Sequence, residues 1–292
     1  MNVLNEELRS TKTYSTVQLS EQSIVSQHTE TCRAFKLIID ETQKKLPVIY
    51  WTPKLHKTPY KARFIANSSR CTTTKVSKLL TSCLTEIKSH VKRYCDKVYE
   101  NSGINLFWSI KNSGDVLNKL STFDSVSSLS TYDFSTLYTS LPHNLIKEKL
   151  SALIRKTFAR ENKEFLACNS DNAFFTDRNV SRYSHWTCDE VCKALNFLLD
   201  NIFVRFGNNV YRQTDGIPMG TNCAPLIADL FLYCYERDFM LSLAPDTQAH
   251  IVDAFDTTSR YLDDILNINN PLSLNLSVTS ILKSCSLSSE YF

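Results

Sequence analysis

Three acidic side chains sit in unusual settings. Asp263 and Asp264 stand side by side in SRYLDDILNIN (259–269), a run otherwise suited to a strand, and Asp133 interrupts TYDFSTLY (131–138) in the same way. Side chains alternate along a strand, so Asp263 and Asp264 face opposite ways unless they occupy the turn of a hairpin. A tight hairpin with both acids at its tip brings at least one beside Asp133 on a neighbouring strand. Carboxylates about 4 Å apart repel by ~4 kcal/mol at an effective dielectric near ~20, so such a cluster calls for divalent cations. Mg2+ favours a few carboxylates completed by substrate phosphates. Two such ions, about 3.5–4 Å apart, clamp the attacking and leaving oxygens of a phosphoryl transfer. Taken singly, each acid also reads as an exposed turn residue.

Other chemistries find less support. With five glycines in 292 residues, the chain has no glycine-rich phosphate loop of the P-loop or dinucleotide type. Ten scattered cysteines form no dense framework and read as mostly reduced thiols. The tract His185-x2-Cys188-x3-Cys192 lacks a second ligand pair, which favours helix packing over zinc. Charge is uneven: from Lys44 to Arg93, twelve Lys or Arg stand against one acid, Glu86. That stretch carries +11 in a chain of net +3, so the remainder is acidic. A basic block beside an acidic remainder fits a polyanion-binding lobe joined to a cation-binding one; the plainer reading is a solvated helix face. At 42% apolar the chain can fill a core of one large domain or two subdomains. It has no apolar run of membrane-spanning length and no signal-peptide pattern, which implies a protein kept inside the cell, in nucleus or cytoplasm, and not secreted.

The elements that must carry these residues follow from periodicity. Apolar Phe35, Leu37, Ile38 and Ile39 suggest a helix over 31–45, stopped by Pro47. Strand formers around Pro53 and Pro59 suggest short strands about a basic turn. Val76, Leu79, Leu80, Cys83, Leu84, Ile87 and Val91 recur at helical spacing over 72–93, with lysines on other faces. SVSSLSTYDFSTLYTSLPH reads as a strand turning into a helix near Pro142, and 157–186 looks loop-like. Thr187 and Glu190 form a capping box ahead of a helix. A hairpin passes through Gly207, Asn208 and Asn209. TNCAPLIADLFLYCYERDFML is a long helix with Asn222 as N-cap, and Asn269-Asn270-Pro271 would turn the last strand. No internal repeat is present.

These residues resemble a family. Tyr261-Leu262-Asp263-Asp264 is similar to the Y-x-D-D box of reverse transcriptases, and Asp133 with Tyr138 resembles their first palm motif. GIPMGTNCAPLIADLF (216–231) resembles the G-x-P-Q-G-x-x-x-S-P motif between them, with Met219 where many members have Gln. The phrasing of YWTPKLHKTPYKARFIANSS (50–69) resembles the reverse transcriptases of Penelope-like retroelements, relatives of the telomerase catalytic subunit. The motifs stand in family order over roughly residues 35 to 270.

The resemblance implies an α+β fold of fingers and palm, with an antiparallel palm sheet backed by helices and no thumb. It implies an N-terminal helical segment at 1–45, basic fingers at 46–125, a palm at 126–270 and a divergent tail at 271–292. Implied too is an RNA-directed DNA polymerase that adds deoxynucleoside triphosphates to a DNA primer on an RNA template, with two Mg2+, or Mn2+ in their place. Asp133 and Asp263 would ligate the ions, with the Phe134 carbonyl as a further ligand and Asp264 as the less direct acid. Tyr138 would lie under the sugar and reject a 2′-hydroxyl. Arg63 would grip the triphosphate, with Lys54 and Lys61 as helpers. Gly216 and Gly220 would let backbone approach nucleotide and template, beside Met219. Gln213 reads equally as a substrate contact or a solvated hairpin residue.

After Asn270 the family pattern stops, and the Ser- and Leu-rich end reads as the product of a frameshift or early stop in a decayed element, leaving the last strand exposed or frayed. Two further readings remain at this level: a non-catalytic nucleic-acid-binding remnant and a metal-dependent nuclease.

Overall fold

A serine caps the helix that follows the first described strand. In this computed structural model, which describes residue 8 and residues 13–55, 61–134, 137–243 and 245–272, strand β1 (Tyr14–Thr16) leads to α1 (Glu21–Ala34). Ser20 Oγ accepts the Ser23 N–H at 3.2 Å, and Glu21 and Arg33 suit the two ends of the helix dipole. The helix expected over 31–45 is instead the end of α1. Lys36 adopts a left-handed φ of 59°, its N–H reaches the Arg33 carbonyl, and the Leu37 N–H reaches that of Cys32, which is a Schellman stop. The run Leu37-Ile38-Ile39 cannot put three successive residues on one helical face. As non-helical chain it points Ile38 outward, 79% exposed, and Ile39 inward.

Strands β2 (Val48–Lys54) and β3 (Lys61–Asn67) pair antiparallel from Val48↔Asn67 to Lys54↔Lys61. The amphipathic pattern becomes α2 (Thr74–Ser102), longer than its apolar spacing indicated, followed by α3 (Ser113–Leu120), β4 (Leu129–Asp133), the short α4 (Leu137–Ser140) and α5 (His143–Glu161). Residues 157–186 are not a loop. Helix α5 continues to Glu161 and closes on left-handed Asn162, and β5 (Phe165–Cys168), β6 (Ala173–Thr176) and β7 (Ser184–Trp186) form a small antiparallel sheet in the order β6-β5-β7. Strands of three or four residues are too short to show a period, and Leu166, Ala167 and Cys168 are buried consecutively.

The capping box does form: Thr187 N–H donates to Glu190 Oε2 at 2.8 Å and opens α6 (Cys188–Asp200). Strands β8 (Phe203–Phe206) and β9 (Asn209–Gln213) turn through Gly207, whose φ of 60° suits a two-residue loop. Helix α7 (Ala224–Ser242) starts later than an Asn222 cap implies, followed by α8 (Pro245–Asp256), β10 (Ser259–Tyr261) and β11 (Asp264–Ile268).

The chain divides into two compact units, residues 1–87 with 138–227 and residues 88–137 with 228–292. The first contains the five-stranded sheet β1-β9-β8-β2-β3, antiparallel except for β2 with β8. Ile49, Ala66, Val204 and Tyr211 pack on one another beneath it. The second contains the three-stranded antiparallel sheet β10-β11-β4. Its core includes Trp108 stacked on Phe255 with centroids 5.7 Å apart, and Phe239 set edge-on to Phe255. Strand β11 is paired on both sides, so the last described strand is central and not the exposed edge expected. The Ser- and Leu-rich expectation beyond Leu272 and the Lys61 side chain lie outside what is described. Among the described residues no helix is long and apolar enough to cross a membrane.

Candidate active site

Strand register sets the acids. Tyr261 pairs with Asp264 across the β10–β11 hairpin, leaving Leu262 and Asp263 as its two-residue tip. On the other side Asp264 is directly opposite Asp133, and Ile265 is opposite Tyr132. Residues so opposed have Cβ atoms about 5 Å apart on one face of the sheet. That face is open: Asp133 and Asp264 are exposed while Ile265 is buried behind them. The Phe134 N–H donates to the Asp263 carbonyl at 3.1 Å, which ties the tip of the hairpin to the end of β4. Burial, then the charges of Asp263 and Asp133, push the Asp264 carboxyl above the usual carboxylate range; no cationic side chain is among the causes. Among the described residues no three His, Cys, Asp or Glu side chains are gathered into a finished metal-ligand set. The fold brings the three acids near one another, but Asp263 and Asp264 are not both at the tip as expected: Asp263 is in the turn, and Asp264 is in β11 facing Asp133 because it pairs on both sides.

Beneath the hairpin lies a charged group that its sequence neighbours did not announce. Arg260 is fully buried. Its Nε donates to Glu236, Nη2 reaches Glu236 Oε2 at 3.2 Å and the Asp229 carbonyl at 3.1 Å, and Nη1 reaches Asp229 Oδ1 at 2.8 Å. Nη1 also donates to the Leu262 carbonyl at 3.1 Å. Lys88 Nζ closes the group on Asp229 Oδ2 at 2.5 Å. Burial acts to raise the Asp229 carboxyl, and the Arg260 and Lys88 charges outweigh it, so it lies below the usual range. Leu262 holds a φ of 54°, a left-handed conformation that costs a residue with a Cβ ~1–2 kcal/mol. The signal for this group was present in α7, where Asp229 and Glu236 are two acids seven residues apart on one face of a mostly apolar helix.

Most of the remaining candidates belong to the first unit. Arg63 is exposed on β3 opposite Thr52, and Lys54 ends β2. The loop GIPMG docks on the same strand: the Ala66 N–H donates to the Met219 carbonyl at 2.8 Å. A Cβ at Gly220, where φ is 112°, would lie 2.1 Å from the Ala66 carbonyl oxygen. At Gly216 it would lie 2.4 Å from the Tyr138 carbonyl oxygen, which already accepts the Ile217 N–H at 2.6 Å. The glycines are thus needed for close approach of protein backbone to protein backbone. His143, not singled out from sequence, donates Nε2–H to the Gly216 carbonyl at 2.6 Å, and burial is the main cause of its lowered pKa. Gln213 is 1% exposed, so it is not a solvated hairpin residue; its Nε2 donates to the Asp215 carbonyl and its Oε1 has no partner among the described residues.

Part of the basic block is neutralised internally. Lys44, Lys75, Lys88 and Lys92 pair with Glu41, Asp40, Asp229 and Asp96. Arg63, Lys54, Arg70 and Lys78 make no such pair among the described residues, and Arg63, Arg70 and Lys78 are exposed. The zinc tract is engaged otherwise, with His185 Nε2 accepting the Val180 N–H at 2.9 Å. All nine described cysteines are free, and eight are buried.

No protein-family model matches the chain, and no curated protein matches its sequence. Solved structures do resemble it. Telomerase from Candida tropicalis in complex with a TWJ fragment of telomeric RNA matches with a TM-score of 0.58 at 12% identity, over 99% of this chain and 42% of that one. Telomerase from Candida albicans, also with a TWJ fragment of telomeric RNA, gives 0.54 at 12% identity over 99% and 50%. Apo telomerase from Candida tropicalis truncated from its C-terminal domain gives 0.54 at 12% over 99% and 51%. The chain spans about half the length of these proteins or less. Its helices and antiparallel sheets form the reverse-transcriptase-like fold that these telomerases share.

Proposed function

We propose that this chain is the fingers and palm of an RNA-directed DNA polymerase, related to the reverse transcriptases of Penelope-like retroelements. The observation that carries the proposal is the register that puts Asp264 directly across from Asp133, with Asp263 at the adjoining tip. The donor set fits a hard divalent cation, since it offers only carboxylate oxygens on an open face. Asp133, Asp263 and Asp264 would hold two Mg2+, with Mn2+ as a substitute and the Phe134 carbonyl as a further oxygen ligand. Such ions, when bound, would stabilise the charge that develops as a primer 3′-hydroxyl displaces pyrophosphate from a deoxynucleotide.

The protein's own part is to position and to neutralise. Arg63 offers a planar fork suited to phosphate, and Lys54 and Lys61 add charge. Tyr138 would pack against the sugar. Gly216, Met219 and Gly220 form a loop pinned to β3 by backbone contacts, which makes it a fixed surface for a nucleotide. The telomerases of similar fold are bound to telomeric RNA in two of the three structures, which supports an RNA template as partner.

The test is primer extension by the full chain on an RNA template with Mg2+ and deoxynucleotides. Extension is expected, and Asp263→Asn should reduce it about a thousandfold, several kcal/mol of charge stabilisation. Binding of the template without extension would leave only a nucleic-acid-binding function. Release of nucleotides from a labelled strand without added deoxynucleotides would identify a nuclease.

A further inference from the structure

The β10–β11 hairpin has an unlikely residue at its turn. A two-residue hairpin loop with φ above zero at its first position normally uses Gly, and this one uses Leu262 at 54°. Strain of this kind persists only where the surroundings impose it, and it concentrates at functional sites. Leu262 immediately precedes the two acids. One buried side chain bonds the strained residue directly: Arg260 Nη1 donates to the Leu262 carbonyl at 3.1 Å. The same guanidinium is fixed by Glu236 and Asp229, both on α7, and Asp229 is fixed in turn by Lys88 on α2.

We propose that Arg260 is the positioning residue of the acid site: it holds Leu262 in the left-handed turn and so sets Asp263 and Asp264 against Asp133. Three features support this over a role in stability alone. The Glu236 and Asp229 carboxylates already answer the Arg260 charge, so the Nη1 bond to the Leu262 carbonyl is a further contact, directed at the tip. The backbone of Arg260 is itself anchored, its N–H to the Trp108 carbonyl at 2.7 Å and its carbonyl to the Ile110 N–H at 2.9 Å, so the side chain works from a fixed base. The far side of the tip is held independently, by the Phe134 N–H on the Asp263 carbonyl. The tip is therefore gripped from both sides, and a slip of the Arg260 grip would rotate the peptide that leads into Asp263. The two positive and two negative side chains of the group also balance, so they add no net charge beneath the acids.

The proposal deepens the polymerase reading and rests on it for the identity of the ligand, a divalent cation. The experiment measures Mn2+ binding by electron paramagnetic resonance on the full chain, alongside Mg2+ dependence of primer extension. Four proteins are compared: the native chain, Arg260→Lys, Leu262→Gly and the double variant. Lysine keeps the charge but cannot serve Glu236, Asp229 and the Leu262 carbonyl together. Arg260→Lys is expected to weaken Mn2+ binding about tenfold. Glycine adopts φ above zero unaided, so adding Leu262→Gly should return binding to within about threefold of Leu262→Gly alone. An Arg260→Lys loss of the same size in both backgrounds, or no loss, would overturn the proposal. If Arg260→Lys does not fold by circular dichroism, Glu236→Gln takes its place, with a smaller loss and the same dependence on Leu262 expected. Mn2+ binding that follows this pattern without primer extension would defeat the polymerase reading and leave Arg260 in its role. Extension with unchanged Mg2+ half-saturation in Arg260→Lys would do the reverse.

Discussion

Replacing Gly220 by Ala measures how tightly the GIPMG loop is docked on β3. Two costs apply. The first is conformational: at a φ of 112° an L-residue with a Cβ is strained by ~1–2 kcal/mol. The second is steric: the new Cβ would be 2.1 Å from the Ala66 carbonyl oxygen, a backbone atom in a paired strand that has little room to retreat. The loop must then lift and break the Ala66 N–H to Met219 carbonyl bond. Ala66 is 2% exposed, so its N–H would be left buried without a partner, at ~1–3 kcal/mol. The sum is about 2–5 kcal/mol. Gly207→Ala supplies the control, because Gly207 has a φ of 60° and nothing within 4 Å of the added Cβ. It should cost only the conformational part, about 1 kcal/mol. Urea unfolding at equal m-value gives both figures. Equal losses in the two variants would refute the docking argument and reduce Gly220 to an ordinary turn glycine.

Two further outcomes concern pH and metal. Burial lowers the His28 pKa from 6.5 to about 4, so the folded state resists its protonation. Its contribution is complete above pH 6.5 and is lost as pH falls toward 4, by about 3 kcal/mol over that window. His28→Gln should flatten that part of the stability profile in urea titrations run from pH 7 to 4; an unchanged slope would reject the assignment. The Asp264 carboxyl is raised by burial and by the Asp263 and Asp133 charges, so folding disfavours its ionised form relative to the unfolded chain. Asp264→Asn should therefore stabilise the metal-free chain slightly, by ~0.5 kcal/mol for so exposed a group, and should remove the rise in melting temperature that Mg2+ gives the native chain. A lower melting temperature for this variant in chelator would count against repulsion among the three acids.

What could be read in advance was local. The capping box of Thr187 and Glu190 involves neighbours in sequence, and both side-chain bonds form. The β8–β9 hairpin announced itself through Gly207 and its flanking residues. The hairpin at the paired acids was legible because its strands and turn are contiguous in sequence, although Asp263 alone of the two occupies the tip and Asp264 opens β11. Elements set by competition were harder. Residues 31–45 contain enough apolar residues for a helix, yet a left-handed Lys36 ends α1 there and sends Ile38 outward. The sheet β6-β5-β7 is built of strands shorter than the window in which alternation can be recognised. Partners distant in sequence were illegible: nothing in KARFIAN announces that the Ala66 backbone receives Met219, and nothing in SRYLDD says that Arg260 turns inward to Asp229 and Glu236. Four lysines of the basic stretch pair with acids in the fold, partners that the charge count alone does not name.

The two compact units alternate along the chain, residues 1–87 and 138–227 in one, 88–137 and 228–292 in the other. No single cut can separate them. On a ribosome, the first unit lacks β8 and β9 until residue 213 has emerged, and the second lacks the hairpin carrying its acids until residue 268. During synthesis the apolar stripe of α2 therefore waits for residues translated more than a hundred positions later, an interval in which a nascent chain is most exposed to aggregation and to chaperones. Production by fragments would meet the same obstacle, because each unit is assembled from two separate stretches of the chain.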